Sequence, residues 1–257
     1  MSRPTSFVVL TTQRSGSSWL VDLLNDHPNV VAYGELFRVT DATIPPYGAT
    51  SFPRFEVVVP RAAYSVSNVL VGRRYAYVRG LARAHRDAHA VGFKLMYDQT
   101  RDHQGLLEIL ALSRFRVIHL VRRDHVRAVI SFDIASRRGS WHRHLGEAGA
   151  GARVRIEAET LFRRLERRER EIQTFRRRLR RLPLRALEVH YERLVHGREE
   201  TLRSIFEFLR VAPAGAKVTS TLVPSGPELL ADAIENLGDV RSVLARTRFA
   251  AQASQLS

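Results

Sequence analysis

Five consecutive residues carry the first chemical signal: Arg14, Ser15, Gly16, Ser17 and Ser18, within FVVLTTQRSGSSWLVDLLNDHPN (7–29). Arginine gives a permanent charge with a two-pronged donor fork, and the serines give hydroxyl donors. Glycine lets a ligand approach the backbone closely. An apolar run precedes the loop and an amphipathic run follows it. That order reads as strand, loop, helix, with the free N–H groups of the helix start aimed at an anion. The other reading is an ordinary strand–turn–helix with a serine cap. A Mg-nucleotide loop of the form G-x-x-x-x-G-K-[ST] is disfavoured. Ser17 stands where its lysine would be, Thr11 where its first glycine would be, and the cation precedes the glycine.

Such a loop needs a rigid frame. Residues 7–12 are expected to form a buried strand and 18–26 a helix ended by Pro28. Further strands are expected over 29–37, 90–99, 115–124 and 184–194. Helices are expected over 61–86, 102–112, 125–138, 155–181, 199–209 and 226–246. The stretch 41–55, with Pro45, Pro46 and Pro53, reads as irregular, and 139–154 as glycine-rich. Alternating strands and helices imply one α/β domain over 1–257, a P-loop-like fold with a central parallel sheet flanked by helices.

The order Arg-Ser-Gly-Ser-Ser-Trp (14–19), continuing through LLNDHPNV, resembles the 5′-phosphosulfate loop of sulfotransferases that use 3′-phosphoadenosine-5′-phosphosulfate (PAPS). Further stretches extend the resemblance, which is strongest to the bacterial trehalose and nodulation-factor group. LVRRDHVRAVIS resembles the family's 3′-phosphate motif, pairing Arg123 with Ser131. GFKLMYDQ (92–99), VHYERLVHGREETLRSIFEFLRV, RRGSWHRH and DAIENLGDVRSVLARTRFA resemble other family segments. The stretches 41–88 and 146–152 match least. The resemblance implies sulfuryl transfer from PAPS, leaving PAP, to a hydroxyl of a carbohydrate, glycolipid or natural-product acceptor, without a metal. It implies donor binding by Arg14, Ser15, Gly16, Ser17, Ser18, Trp19, Arg123, Ser131 and Tyr191. Arg14 is expected to meet charge on the leaving phosphate, with Lys94 assisting. Cytosolic relatives place their basic histidine where Met96 stands here, and methionine cannot accept the proton. The trehalose and nodulation group instead uses the glutamate of a Gly-Glu pair, which is Gly34-Glu35. His27, His142 and His144 rank behind Glu35 as bases.

Composition sets the remaining bounds. The 257 residues are 44% hydrophobic and contain no cysteine, which fits a reducing cytoplasm and forbids disulfides and thiolate zinc sites. No secretory h-region and no apolar run of membrane-spanning length occurs, so a cytoplasmic protein is expected. The net charge of +15, nearly all from arginine, implies attraction to anions or simply reflects a GC-rich genome. Residues 153–181 hold twelve arginines against five glutamates. Leu161, Leu165, Ile172, Phe175 and Leu179 form an apolar stripe among them, which reads as a packed helix with a solvated charged face rather than a nucleic-acid or membrane binder. A P-loop-like small-molecule kinase and a non-enzymatic polyanion- or nucleic-acid-binding protein remain as rival functions.

Overall fold

A computed structural model describes residues 3–38, 49, 51–59, 67–139, 153–212, 220 and 231–256. Its centre is β1 (Thr5–Thr11), whose side chains alternate between the two sheet faces. β3 (Ala90–Met96) and β4 (Arg116–Val121) flank it. β2 (Val30–Glu35) lies beyond β3, and β5 (Arg185–His190) beyond β4. The order is β2-β3-β1-β4-β5 and every pairing is parallel. Thr11 is in register with Met96 on one side and Leu120 on the other, so the strands end at one level. Gly92 fits the β1–β3 contact because a Cβ there would lie 2.3 Å from the Phe7 carbonyl oxygen.

Helices cover both faces. α1 (Ser17–Asn25), α8 (Tyr191–His196) and α9 (Arg198–Leu209) bury Leu20, Leu24, Ile205 and Phe206 against Phe7, Val9 and Ile118. On the other face, α3 (Ser67–Ala84), α5 (Leu106–Leu112) and α7 (Ala158–Arg181) bury Leu81, Leu107 and Phe175 with Val8, Leu10 and Phe93. A third cluster joins α6 (His125–Arg138) and α7 to α10 (Leu237–Leu244) and α11 (Ala250–Ser254) through Ile130, Leu165, Val240 and Phe249. Short helical turns α2 (Phe55–Val58) and α4 (Gln99–Asp102) complete the described elements.

The α/β class and parallel sheet agree with the sequence reading, but several boundaries move. The strand expected over 184–194 ends at His190, and Tyr191 opens α8. The strand expected over 90–99 ends at Met96, with Gln99 opening α4, and the helix expected over 102–112 begins only at Leu106, after Gly105 with its left-handed φ of 77°. The helix expected over 226–246 is α10 preceded by a 3₁₀ turn at Ala231–Ala233, while 221–230 lie outside the described residues. α11 is an element the sequence pattern did not suggest. No helix of the described residues is long and apolar enough to cross a membrane.

Candidate functional site

The residues singled out by type gather at the C-terminal ends of the strands, where parallel sheets receive ligands. The loop after β1 is unusual in its backbone. Arg14 and Gly16 both have positive φ, 57° and 80°. A Cβ on Gly16 would lie 2.4 Å from Cδ2 of Tyr191, so glycine is required there both by φ and by the ring above it. Tyr191 meets Trp19 edge-on at 6.3 Å, and both are buried. Trp19 is therefore part of the packed floor beneath the loop. Gly16 caps α1 without any side-chain hydrogen bond, and the first turn carries no acidic residue. The helix start thus presents its N–H groups with no carboxylate competing for them. Ser15 and Ser17 are buried, whereas Ser18 is partly exposed.

The Arg14 guanidinium turns toward α6. Its Nε donates to Ser131 Oγ at 2.9 Å, joining two motifs 117 residues apart. Burial, then the charge of Arg122, lowers the Arg14 pKa, partly offset by Tyr191. Arg123, the residue the sequence reading paired with Ser131, has an exposed side chain. Its backbone is well held. The N–H groups of Arg123 and Asp124 donate to Glu192 Oε1 at 2.9 and 3.1 Å, and the Arg123 carbonyl accepts from Gln252 Nε2 of α11 at 3.2 Å. Gln252 Oε1 also accepts from the Val126 N–H at 3.2 Å. Asp124 caps α6 through the Arg127 N–H at 2.8 Å.

Two arginines that the sequence reading passed over complete the cluster. Arg122 is buried, with its guanidinium 4.6 Å over the Tyr191 ring and Nη1 donating to the Arg14 carbonyl at 3.3 Å. Arg168 of α7 is also buried. Its Nη1 donates to the Gln13 carbonyl at 2.8 Å and its Nη2 to Ser15 Oγ at 3.0 Å. Nε of each is enclosed without a hydrogen-bond partner. Burial first, then Arg122, pulls the Arg168 pKa down to about 10. The signal for Arg122 lay in the doubled arginine of LVRRD. For Arg168 it lay in the spacing, since Leu161, Leu165, Arg168, Ile172, Phe175 and Leu179 form one continuous buried stripe.

On the far side of β1, Glu35 and Lys94 meet. β2 shifts register against β3 between Tyr33 and Glu35, which sets Glu35 opposite Lys94. Lys94 Nζ lies 2.8 Å from Glu35 Oε1, and Gln99 Nε2 donates to Glu35 Oε2 at 2.7 Å. Burial pushes the carboxyl upward, but Lys94, Arg38 and Gln99 together outweigh it and hold Glu35 below its ordinary range. The sequence argument required the opposite balance for a base poised near neutrality. In this arrangement Glu35 is an ionised partner of Lys94.

A cleft of about 300 Å³ opens beside the loop, lined by Gln13, Tyr97, Asp98, Phe132, Arg164 and Arg168 among others. Gln13 Nε2 donates to Asp98 Oδ2 at 2.7 Å, tying the loop to the end of β3. Of the histidines, His27 is buried beside Phe206 with Nε2 3.0 Å from the Ala212 carbonyl oxygen, and it does not line the cleft beside the loop. Trp141, His142 and His144 lie outside the described residues. Among the described residues no group of His, Cys, Asp and Glu is arranged to hold a metal ion.

Comparison with known proteins bears on the family and the fold. The chain is similar to nodulation protein H of Rhizobium meliloti strain 1021, 26% identical over 148 residues, covering 57% of this chain and 54% of that protein. It is 28% identical over 138 residues to nodulation protein H of Rhizobium tropici, covering 54% of this chain and 49% of that protein. The chain thus matches about half the length of these curated relatives. Its fold is similar to that of the sulfotransferase domain from the curacin biosynthetic pathway, with a TM-score of 0.52 at 17% identity, covering 95% of this chain and 98% of that one. A sequence model described as the sulfotransferase family matches residues 6–213, most of the chain, and the chain belongs to that family.

Proposed function

We propose that the chain transfers the sulfuryl group of PAPS to a hydroxyl of a carbohydrate, glycolipid or natural-product acceptor, releasing PAP. The observation that carries this is the Arg14–Ser131 contact at 2.9 Å, which brings the loop after β1 and the helix after β4 into one site. The residues present fit a donor with phosphate at two ends. The clustered charges of Arg14, Arg122 and Arg168 and the start of α1, free of side-chain caps and carboxylates, favour a compact polyanion.

PAPS, when bound, would supply an activated sulfuryl group with its 5′-phosphate as leaving group. Arg14, together with the α1 N–H groups, stabilises charge growing on that phosphate; such preorganised donors are the main lever in transfers of this kind. Ser131 and Arg123 hold the 3′-phosphate, and Tyr191 borders the nucleoside. Lys94 turns toward the transferring group. As it does so, Glu35 loses the cation that holds its pKa down, and burial then raises its affinity for a proton. Glu35 accepts the acceptor hydroxyl proton in that state. The cleft beside Gln13 and Asp98 receives the acceptor.

The reading is tested by thermal unfolding with PAP, ATP–Mg and duplex DNA separately. At a hundredfold excess over Kd a ligand stabilises by about 2.7 kcal/mol, a rise of roughly 5–10 °C for a chain of this size. PAP is expected to give it. A rise with ATP–Mg alone points to the kinase, and with DNA alone to the polyanion binder. A screen of acceptors with labelled PAPS then identifies the hydroxyl.

A further inference from the structure

An arginine on the buried stripe of α7 needs a reason. Every other buried side chain of that helix is apolar. Burying a guanidinium is costly unless its donors are used. Arg168 leaves Nε unpaired and spends its two terminal nitrogens on one object, the loop after β1. Nη1 takes the carbonyl of Gln13 and Nη2 the hydroxyl of Ser15, the residues on either side of Arg14. Because a peptide unit is planar, fixing the Gln13 carbonyl also fixes the direction of the Arg14 N–H. Arg122 does the same for the next unit through the Arg14 carbonyl. The left-handed backbone of Arg14, unfavourable for a non-glycine residue, lies between these two clamps.

We propose that Arg168 is a positioning residue of the phosphate loop: its fork holds the loop in the kinked form that aims Arg14, and its charge backs the anion from behind. This deepens the sulfuryl-transfer reading and rests on it for the ligand. The two contributions separate by chemistry. A lysine at 168 keeps the charge but cannot bridge two acceptors with a planar fork. A methionine keeps neither.

The test combines amide hydrogen exchange of the ligand-free protein with calorimetric titration by PAP. In Arg168→Met, amides of residues 13–18 are expected to exchange about tenfold faster or more, and PAP to bind about tenfold or more weakly. Exchange in β1, β4 and the rest of α7 stays at wild-type rates. Arg168→Lys is expected to recover PAP affinity to within about threefold while loop exchange stays fast. The proposal is overturned if Arg168→Met leaves both loop exchange and PAP affinity within about twofold of wild type. It is also overturned if exchange accelerates equally across α7 and the sheet, which marks general packing loss. Should Arg168→Met not fold, Ser15→Ala removes one of the two acceptors without touching α7. Faster exchange confined to the loop supports the proposal, and unchanged exchange sinks it. Loop exchange needs no ligand, so a wild-type protein indifferent to PAP would refute the sulfuryl-transfer reading while the exchange data still decide the role of Arg168.

Discussion

Glu35→Gln separates the carboxylate's structural work from its proposed chemistry. The amide keeps the shape but offers one oxygen where the carboxylate offers two. Lys94 Nζ at 2.8 Å and Gln99 Nε2 at 2.7 Å both donate to this group, so one of them must face the new NH₂. Lys94, whose side chain is 7% exposed, keeps its charge and loses the carboxylate. Removing one member of a buried pair costs about 3–5 kcal/mol. The 15% exposure of Glu35 allows some rescue by water, which brings the expectation to about 2–3 kcal/mol. For a chain of this size that lowers the melting temperature by roughly 4–12 °C. Turnover, measured well below that temperature at saturating PAPS, is expected to fall about 10²–10⁴-fold, the range for losing a general base. The wild-type acidic limb should lie below the ordinary glutamate range in kcat/KM, which reports the free enzyme. In kcat it should move upward, because Lys94 is then engaged elsewhere. Glu35→Gln abolishes both limbs. A folded Glu35→Gln protein with turnover within about threefold of wild type and its acidic limb intact refutes the assignment. If His142→Ala or His144→Ala is then inactive, the base lies in that segment.

Arg14→Ala is expected to lower turnover by more free energy than it removes from PAP binding, since the charge it meets is greatest in the transition state; equal losses would make Arg14 a plain anchor. Arg123→Ala should weaken PAP binding by about 1.5–3 kcal/mol with the fold intact, and unchanged affinity in a calorimetric titration would remove Arg123 from the site. Stability should decline on acidification from about pH 6.5 toward about pH 4. Burial lowers His103 and His125 from 6.5 to about 4, so in that window the unfolded chain binds more protons and acid favours unfolding. Urea midpoints at pH 7 and pH 5 check this, and an equal or higher midpoint at pH 5 contradicts it.

What could be read from the sequence was local. An apolar strand, a glycine–serine loop and an amphipathic helix lie within about twenty residues of each other, so β1, the loop and α1 were legible in order. Their neighbours were not. The contact that sets the ionisation of Glu35 depends on β2 pairing with β3 after a register shift, and nothing near Glu35 specifies which lysine will face it. Arg14 meets Ser131 because β4 flanks β1, a fact of sheet order rather than of spacing. Arg122 was hidden by its twin Arg123, for the two differ only in which side of the strand end they take. Arg168 was hidden by composition. In a helix with so many arginines, one on the wrong face does not stand out unless the stripe is counted through it.

Gln252 holds both the carbonyl of Arg123 and the N–H of Val126, and it comes 129 residues after Arg123. On the ribosome that distance is time. At about 5–20 residues per second, the turn after β4 emerges roughly 6–26 s before the glutamine that fastens it. A nascent chain in that interval already has the loop after β1 and most of the sheet, but its Arg123 turn lacks the fastening from α11. Donor affinity should therefore arrive late in synthesis, and a chain halted before residue 250 should fold its sheet yet hold the nucleotide poorly at the 3′-phosphate end.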